Sequence, residues 1–278
     1  MEYVINFVKN ISNIYMPRSK VAIIFDLDET IGHFWQIGKL WEALKFFEEK
    51  KFNEKDFNKI LDMFPYVFRP EIFKIFKYLK KVKDNDKNVK VIIYSNNMGT
   101  PKWANMIKKY IEKKVGGKLF DKVITAWKVD GKIYQKCRTT NDKTYKDIIK
   151  CGNLNKNTEI FFVDDTMYPK MMNKKVDFMH IKEYLFSYNI ENMVYDFLNS
   201  KITNKLSKKS KFELKHKLAT YIRRLNWGDA KYRNGKTPNK VDIVESKKLF
   251  VNIKNFLKEK NKKSRSKKKR KSGTRRIN

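Results

Sequence analysis

The sequence predicts an α/β protein built on a central parallel sheet, and three stretches carry that prediction. Val21–Phe25, Val89–Tyr94 and residues 159–163 are short apolar runs, rich in β-branched and aromatic residues, with little polar alternation. Runs of this kind belong to strands buried on both faces, the habit of parallel sheets covered by helices. Each ends abruptly in polar residues: Asp26-Leu27-Asp28-Glu29-Thr30, Ser95-Asn96-Asn97 and Asp164-Asp165-Thr166. Parallel strands share one carboxyl edge, so the three ends are expected in one crevice, where open α/β sheets bind their ligands.

The elements between these runs follow from spacing and punctuation. Tyr3, Phe7, Ile11 and Ile14 recur at helical intervals, and Pro17 closes that helix before the first strand. After Thr30, Gly32 and Gly38 mark a loop leading into a helix over residues 40–50; His33, within that loop, has no catalytic partner in the sequence and reads as a loop histidine. Pro70 opens a helix over residues 71–81, with Ile72, Ile75, Phe76 and Leu79 on one face, and Arg69 beside it reads as structural. A polar turn over residues 84–88 precedes the second strand, and Pro101–Lys114 reads as the helix after its polar end, a strand-loop-helix corner of the kind that holds anions. Residues 122–127 suggest a further strand, Asp130-Gly131 a hairpin turn, and residues 143–150 a short helix bearing Lys146-Asp147. Residues 191–198 read as the closing helix.

Composition bounds what this chain can do. With 278 residues, 41% hydrophobic and 14% aromatic, it can bury the core of one domain of about 150–200 residues and carry an appendage. The net charge of +34 is concentrated late, with 28 Lys+Arg against 5 Asp+Glu from Lys201 onward. Such density favours polyanionic partners. Residues 200–210 read as a lysine-rich linker, followed by two basic amphipathic helices, one over residues 212–225 and one over residues 241–258. Residues 262–276 hold 10 basic residues, no acid and almost no apolar side chain, and are expected to be disordered. That tail reads as a nuclear-localisation signal, a nucleic-acid-binding arm or a solubilising segment. Cys137 and Cys151 are too few for a disulfide scaffold or a thiolate zinc site, so the chain reads as intracellular and reduced. No run approaches 18 apolar residues and the N-terminus resembles neither a signal peptide nor a membrane span, so no membrane partner is expected. The expected division is an N-terminal helix over 1–18, a catalytic domain over 19–199, a basic helical extension over 200–260 and a tail over 261–278.

The acidic strand end carries the chemistry. Asp26 and Asp28 stand at n and n+2, a spacing that can aim both into one crevice, where they repel unless a cation lies between them. A hard oxygen-binding ion such as Mg2+ meets that demand.

Four stations in this order, an apolar strand ending in Asp-x-Asp-x-Thr, a strand ending in Ser95, a helical lysine and a strand ending in Asp164-Asp165, resemble the haloacid-dehalogenase superfamily. With Arg69-Pro70, Lys146-Asp147 and modest gaps between stations, the chain looks more narrowly like the FCP/SCP-like branch, the phosphatases of the RNA polymerase II C-terminal domain, over about residues 19–189. The resemblance implies a Rossmann-like fold with a central parallel sheet. It further implies that Asp26 attacks phosphorus to form an aspartyl phosphate and that Asp28 acts as general acid and then base. Mg2+ would be held by Asp26, the Asp28 backbone carbonyl and Asp165, with Asp164 in support. Ser95 and Lys146 would hold the phosphoryl oxygens, with Thr30 and Asn96 adding to phosphate binding. Lys146 is favoured over Lys143 because it carries the Lys-Asp pair; Ser95 stands where this branch often has Thr; Asn96 and Asn97 read equally well as a simple turn.

The expected activity is therefore Mg2+-dependent phosphoserine/threonine protein phosphatase, with a phosphoprotein such as the polymerase C-terminal domain as substrate. With 64 residues between Thr30 and Ser95 and 50 between Ser95 and Lys146, no large cap is expected, and an open crevice suits a macromolecular phosphate. The alternatives are a nucleic-acid end phosphatase and a non-catalytic phosphopeptide-binding adaptor. Nuclear entry through an import receptor, or nucleic-acid binding, falls to the basic tail, and an AT-rich composition with such a tail fits a virus of eukaryotes. Deleting residues 262–278 should leave turnover of a short phosphopeptide nearly unchanged and weaken binding to polyanions, as measured by steady-state kinetics and fluorescence anisotropy in parallel.

Overall fold

The structure is a computed structural model that describes residues 20–47, 51–97, 101–224, 233–234 and 237–273. The expected helix over residues 3–16 lies outside the described residues. Along the chain run β1 (Val21–Phe25), α1 (Trp35–Phe47), α2 (Glu54–Met63), α3 (Ile72–Asn85), β2 (Val89–Tyr94) and α4 (Pro101–Lys114). Next come β3 (Lys122–Ile124), β4 (Lys128–Val129), β5 (Lys132–Ile133), α5 (Tyr145–Cys151), β6 (Glu159–Asp164), β7 (Val176–His180) and β8 (Phe186–Ser187). The last elements are α6 (Ile190–Asn199), α7 (Lys208–Arg224), β9 (Arg233–Asn234) and α8 (Lys240–Gly273).

These elements form two compact units. The first holds β1 through Leu27, residues 71–181 and α8 from Glu245; the second holds residues 28–70 and 182–244. The 64 residues between Thr30 and Ser95 are thus divided between the two.

The first unit is built on a five-stranded sheet in the order β3-β2-β1-β6-β7, every pair parallel. In the central register Ile23 lies beside Val91 on one side and Phe161 on the other. All five residues of β1 are buried, which is why its sequence shows no alternation. The mixed α/β architecture with a central parallel sheet flanked by helices is the arrangement expected from the three apolar runs. On one face Ala22, Ile24, Ile92, Tyr94, Ile160 and Phe162 pack with Ile148 and Cys151 of α5. On the other, α3 presents Ile72, Ile75, Phe76, Leu79 and Val82 at three- and four-residue spacing. Phe76 meets Phe25 and Phe120 edge-on, each at 5.3 Å between ring centroids. Helix α8 contributes Leu249, Ile253, Phe256 and Leu257 to the core, with Phe256 against Phe161 at 5.3 Å.

One element is added here and one expectation changes. Strand β7 joins the sheet edge although its sequence, alternating Val176 and Phe178 with Asp177, lacks the apolar run of the inner strands. Helix α8 does not stop at Lys258 or give way to disorder at Lys262 but continues to Gly273. Between Lys240 and Gly273 the sequence has no proline or glycine, and lysine and arginine are good helix formers.

The second unit is mainly helical. Trp41 of α1 packs on Phe57 of α2 at 5.1 Å, and Phe52 lies 6.1 Å from Phe197 of α6. Helix α2 opens with a capping box in which Asn53 and Asp56 each satisfy the other's backbone N–H. Helix α7 buries Leu214 and Leu218. The stretch expected as a polar linker over residues 200–210 instead begins with a 3-10 turn, Lys201–Lys205, that buries Ile202 and Thr203. Among the described residues no helix is long and apolar enough to cross a membrane.

Phe76 ties strand, helix and loop together on one face of the sheet. Replacing it with alanine should lower unfolding stability by about 3–5 kcal/mol, read as a lower urea midpoint at unchanged slope.

Candidate functional site

The first unit concentrates charge at the carboxyl edge of its sheet. Asp26 follows β1 directly, and its backbone N–H donates to Val163 O of β6 at 2.9 Å, so the two strand ends stay in register to their last residue. That register places Asp26 beside Asp164 and Asp165, and carboxylate oxygens of the three lie within 4.8 Å of one another. Asp26 and Asp164 are buried; Asp165 is half-buried.

The cation that faces them is Lys143. Its ammonium donates to Asp26 Oδ1, and to Asp164 Oδ2 at 2.7 Å, with the lysine side chain only 1% exposed. The rings of Tyr168 and Tyr94 flank it, with centroids 5.3 and 5.8 Å away. Burial opposes the charged form of Lys143, but the Asp26 and Asp164 carboxylates outweigh it and hold the ammonium above the ordinary lysine range. Asp164 is shifted upward because its own burial exceeds what Lys143 and the Thr166 N–H, 3.0 Å from Oδ1, give back. Lys143 thus serves two of the three carboxylates at once.

Lys146 does not occupy this position. It is exposed on α5, whose buried residues are Asp147, Ile148 and Cys151, so Lys146 lies on the outward side of the first turn. The lysine that reaches the acids stands one residue before the helix cap, Thr144, whose hydroxyl accepts from Asp147 N at 3.0 Å. The preference for Lys146 is therefore corrected: the Lys-Asp pair marks the helix, and Asp147 turns inward to bind Thr139 N and Oγ1 at 3.1 and 3.0 Å.

Two residues that the sequence reading passed over hold this loop in place. Arg138, 2% exposed, donates to the carbonyls of Ser95, Thr125, Asn141 and Asp142 at 3.4, 2.9, 2.9 and 3.0 Å. The two terminal nitrogens of this buried guanidinium thus join the ends of β2 and β3 to the loop that carries Lys143. Its signal in the sequence is faint, one arginine in a polar stretch. Tyr168 is the other; its hydroxyl accepts from Asn96 Nδ2 at 3.1 Å, and burial raises its phenol above the usual value. Cys137 and Cys151 form a disulfide, with Cα atoms 5.3 Å apart, across the loop and helix that bear Lys143. This corrects the expectation of reduced thiols: spacing alone does not show that the chain returns Cys137 to the end of α5.

Ser95 lies at the end of β2, 1% exposed, and its Oγ accepts from Asn97 N at 2.9 Å, which leaves its hydroxyl proton to donate. Asn96 is half-buried beside it. Asp28 and Thr30 belong to the second unit. There the turn after β1 is rigid: Glu29 has φ +57°, and its N–H donates to Gly32 O at 2.8 Å. Arg69 donates to Thr30 O and Glu29 O at 2.6 Å each and to Lys182 O at 2.8 Å, a structural use of its guanidinium. Gly32 is required because a side chain there would meet Val67 O at 2.3 Å. His33 is buried and lies 3.0 Å from Glu29 Oε1.

Comparisons with protein-family models, with curated proteins and with solved structures find no match to this chain.

The two lysines give a direct test of this geometry. Lys143→Met should leave buried carboxylates uncompensated and cost about 3–5 kcal/mol of stability, whereas Lys146→Met should stay within about 0.5 kcal/mol, both read by urea unfolding.

Proposed function

We propose that the chain is a Mg2+-dependent phosphomonoester hydrolase that works through an aspartyl phosphate. The observation that carries this reading is the grouping of Asp26, Asp164 and Asp165 around Lys143 at the carboxyl edge, with Ser95 at the neighbouring strand end. The donor set is all oxygen, with carboxylate atoms of the three acids within 4.8 Å of one another, which suits a hard cation such as Mg2+. Asp26 and Asp165 would hold Mg2+, with Asp164 in support; when bound, the ion would neutralise phosphate charge and polarise the phosphoryl group.

The remaining chemistry falls to the side chains. Asp26 is the nucleophile: attack on phosphorus forms an aspartyl phosphate and expels the leaving oxygen, dividing one difficult step into two. Asp28, two residues further along, protonates that oxygen and then takes a proton from the water that hydrolyses the intermediate. Lys143 and the Ser95 hydroxyl hold phosphoryl oxygens, and Lys143 also offsets repulsion between Asp26 and the incoming phosphate. This division of roles, and the narrower assignment to the FCP/SCP-like branch of the haloacid-dehalogenase superfamily, rests on the ordered motifs from Asp26 to Asp165. A phosphoserine or phosphothreonine in an extended protein segment, such as the polymerase C-terminal domain, is the substrate this reading favours.

The test is phosphate release from a phosphoserine heptad-repeat peptide and from a 3′-phosphorylated oligonucleotide, with Mg2+ and with EDTA. Peptide turnover that disappears with EDTA and falls by at least about 10^3-fold in Asp26→Asn is the expected result. Faster turnover of the oligonucleotide would replace the protein-phosphatase reading with a nucleic-acid end phosphatase. Absence of release from both, with retained phosphopeptide binding, would make the chain an adaptor.

A further inference from the structure

The opposite edge of the same sheet carries a second, oppositely charged feature. Lys20 precedes β1, Lys87 and Asn88 precede β2, and Thr158 precedes β6, so the starts of three parallel strands meet at one place. A pocket of about 230 Å3 opens there, lined by these residues together with Lys90 and Asn153 among others. None of its lining residues is acidic. Lys90 donates to Asn153 O at 2.8 Å, whereas Lys20 and Lys87 are exposed and have no acidic partner among the described residues.

The nearby acids Glu159 and Asp86 do not line the pocket. Glu159, next to Thr158, pairs with Lys175 at 2.6 Å and Lys260 at 3.1 Å, and those cations hold its carboxyl below the usual range against the effect of burial. Asp86 is buried, binds Asn88 N at 2.8 Å and does not line the pocket. Lys20 and Lys87 are therefore available to neutralise something from outside. Three cations around a concave site of this size, with a hydroxyl and amides between them, match a tetrahedral oxyanion.

We infer that this pocket is a phosphate-binding site, and that its ligand is a phosphodiester of a nucleic-acid backbone. A chain with a net charge of +34, most of it beyond Lys201, is suited to a polyanion and not to a single small ion. No aromatic side chain lines the pocket, so it offers no stacking platform for a base, and contact would be with backbone and independent of sequence. The site is distinct from the acidic cluster and does not rest on the phosphatase reading.

The experiment compares the full chain with Lys20→Gln/Lys87→Gln, two exposed positions whose change should leave the thermal midpoint in place. Binding of a fluorescent single-stranded oligonucleotide is followed by anisotropy across a salt series, with inorganic phosphate as competitor in a second arm. Each phosphate contact contributes about 0.7 to the slope of log K against log salt for a single strand, so the double variant should lose about 1.4 of slope and bind several-fold more weakly at low salt. Adding Lys90→Gln should extend the loss in the same direction. Unchanged affinity and slope in both variants would overturn the site. A loss of inorganic phosphate binding with oligonucleotide binding intact would overturn the nucleic-acid assignment and leave a free-phosphate site.

Discussion

The ammonium of Lys143 is the constraint on which the carboxyl edge depends. Two adjacent parallel strands, β1 and β6, each deliver a buried carboxylate to the same point, and like charges in a poorly solvated site repel strongly. A lysine donating to both oxygens turns that repulsion into a bridge between strand ends. The arrangement is expensive in desolvation, and burying three ionisable groups gives less net stability than packed hydrophobic residues would. Fold stability comes from the apolar faces of the sheet; what Lys143 adds is a defined geometry for charge.

That geometry is supported from behind. Lys143 sits outside regular structure, on a loop that would otherwise be mobile, yet three independent ties hold it. Arg138 collects four carbonyls, Asp147 binds back to Thr139, and the Cys137–Cys151 disulfide joins the loop's start to the end of α5. Closing a loop of roughly 15 residues restricts the unfolded chain by about 3 kcal/mol in the chain-entropy view. In the proposed reaction this matters, because a cation that is to meet a phosphoryl group gains most when it is positioned before the substrate arrives.

How much of this could be read from the sequence differs by element. The inner strands were legible because burial on both faces leaves uninterrupted apolar runs, and the polar residues after them marked the edge where Asp26, Ser95 and Asp164 lie. Strand β7 was not, because an edge strand that is half exposed carries no such signature. The choice between Lys143 and Lys146 turned on where α5 begins: a cap at Thr144 puts Lys143 before the helix and Lys146 on its outer side. Arg138 and the disulfide were silent for a different reason. Both depend on how the loop between Cys137 and Cys151 folds back on itself, and residue types and spacing along the chain hold no record of that path. The helical course of α8 to Gly273 was masked by charge: composition argued for disorder where the absence of any helix breaker permits a helix.

The two ends of the sheet then form an electrostatic pair with opposite signs. Strand β1 spans five residues, about 17 Å at 3.3 Å per residue, from Lys20 and Val21 at the basic edge to Phe25 and Asp26 at the acidic one. At that separation a lysine and a carboxylate interact by about 1 kcal/mol at an effective dielectric of about 20, against about 4 kcal/mol at about 4 Å, so lysines at one edge contribute little to the charge balance of carboxylates at the other. The charge of Asp26, Asp164 and Asp165 is therefore balanced locally, with Lys143 as one contributor. The basic edge is equally independent: its lysines can attract an extended polyanion without altering the protonation of the acid cluster. A sheet whose strands all run one way makes that separation automatic, because every strand start gathers at one edge and every strand end at the other.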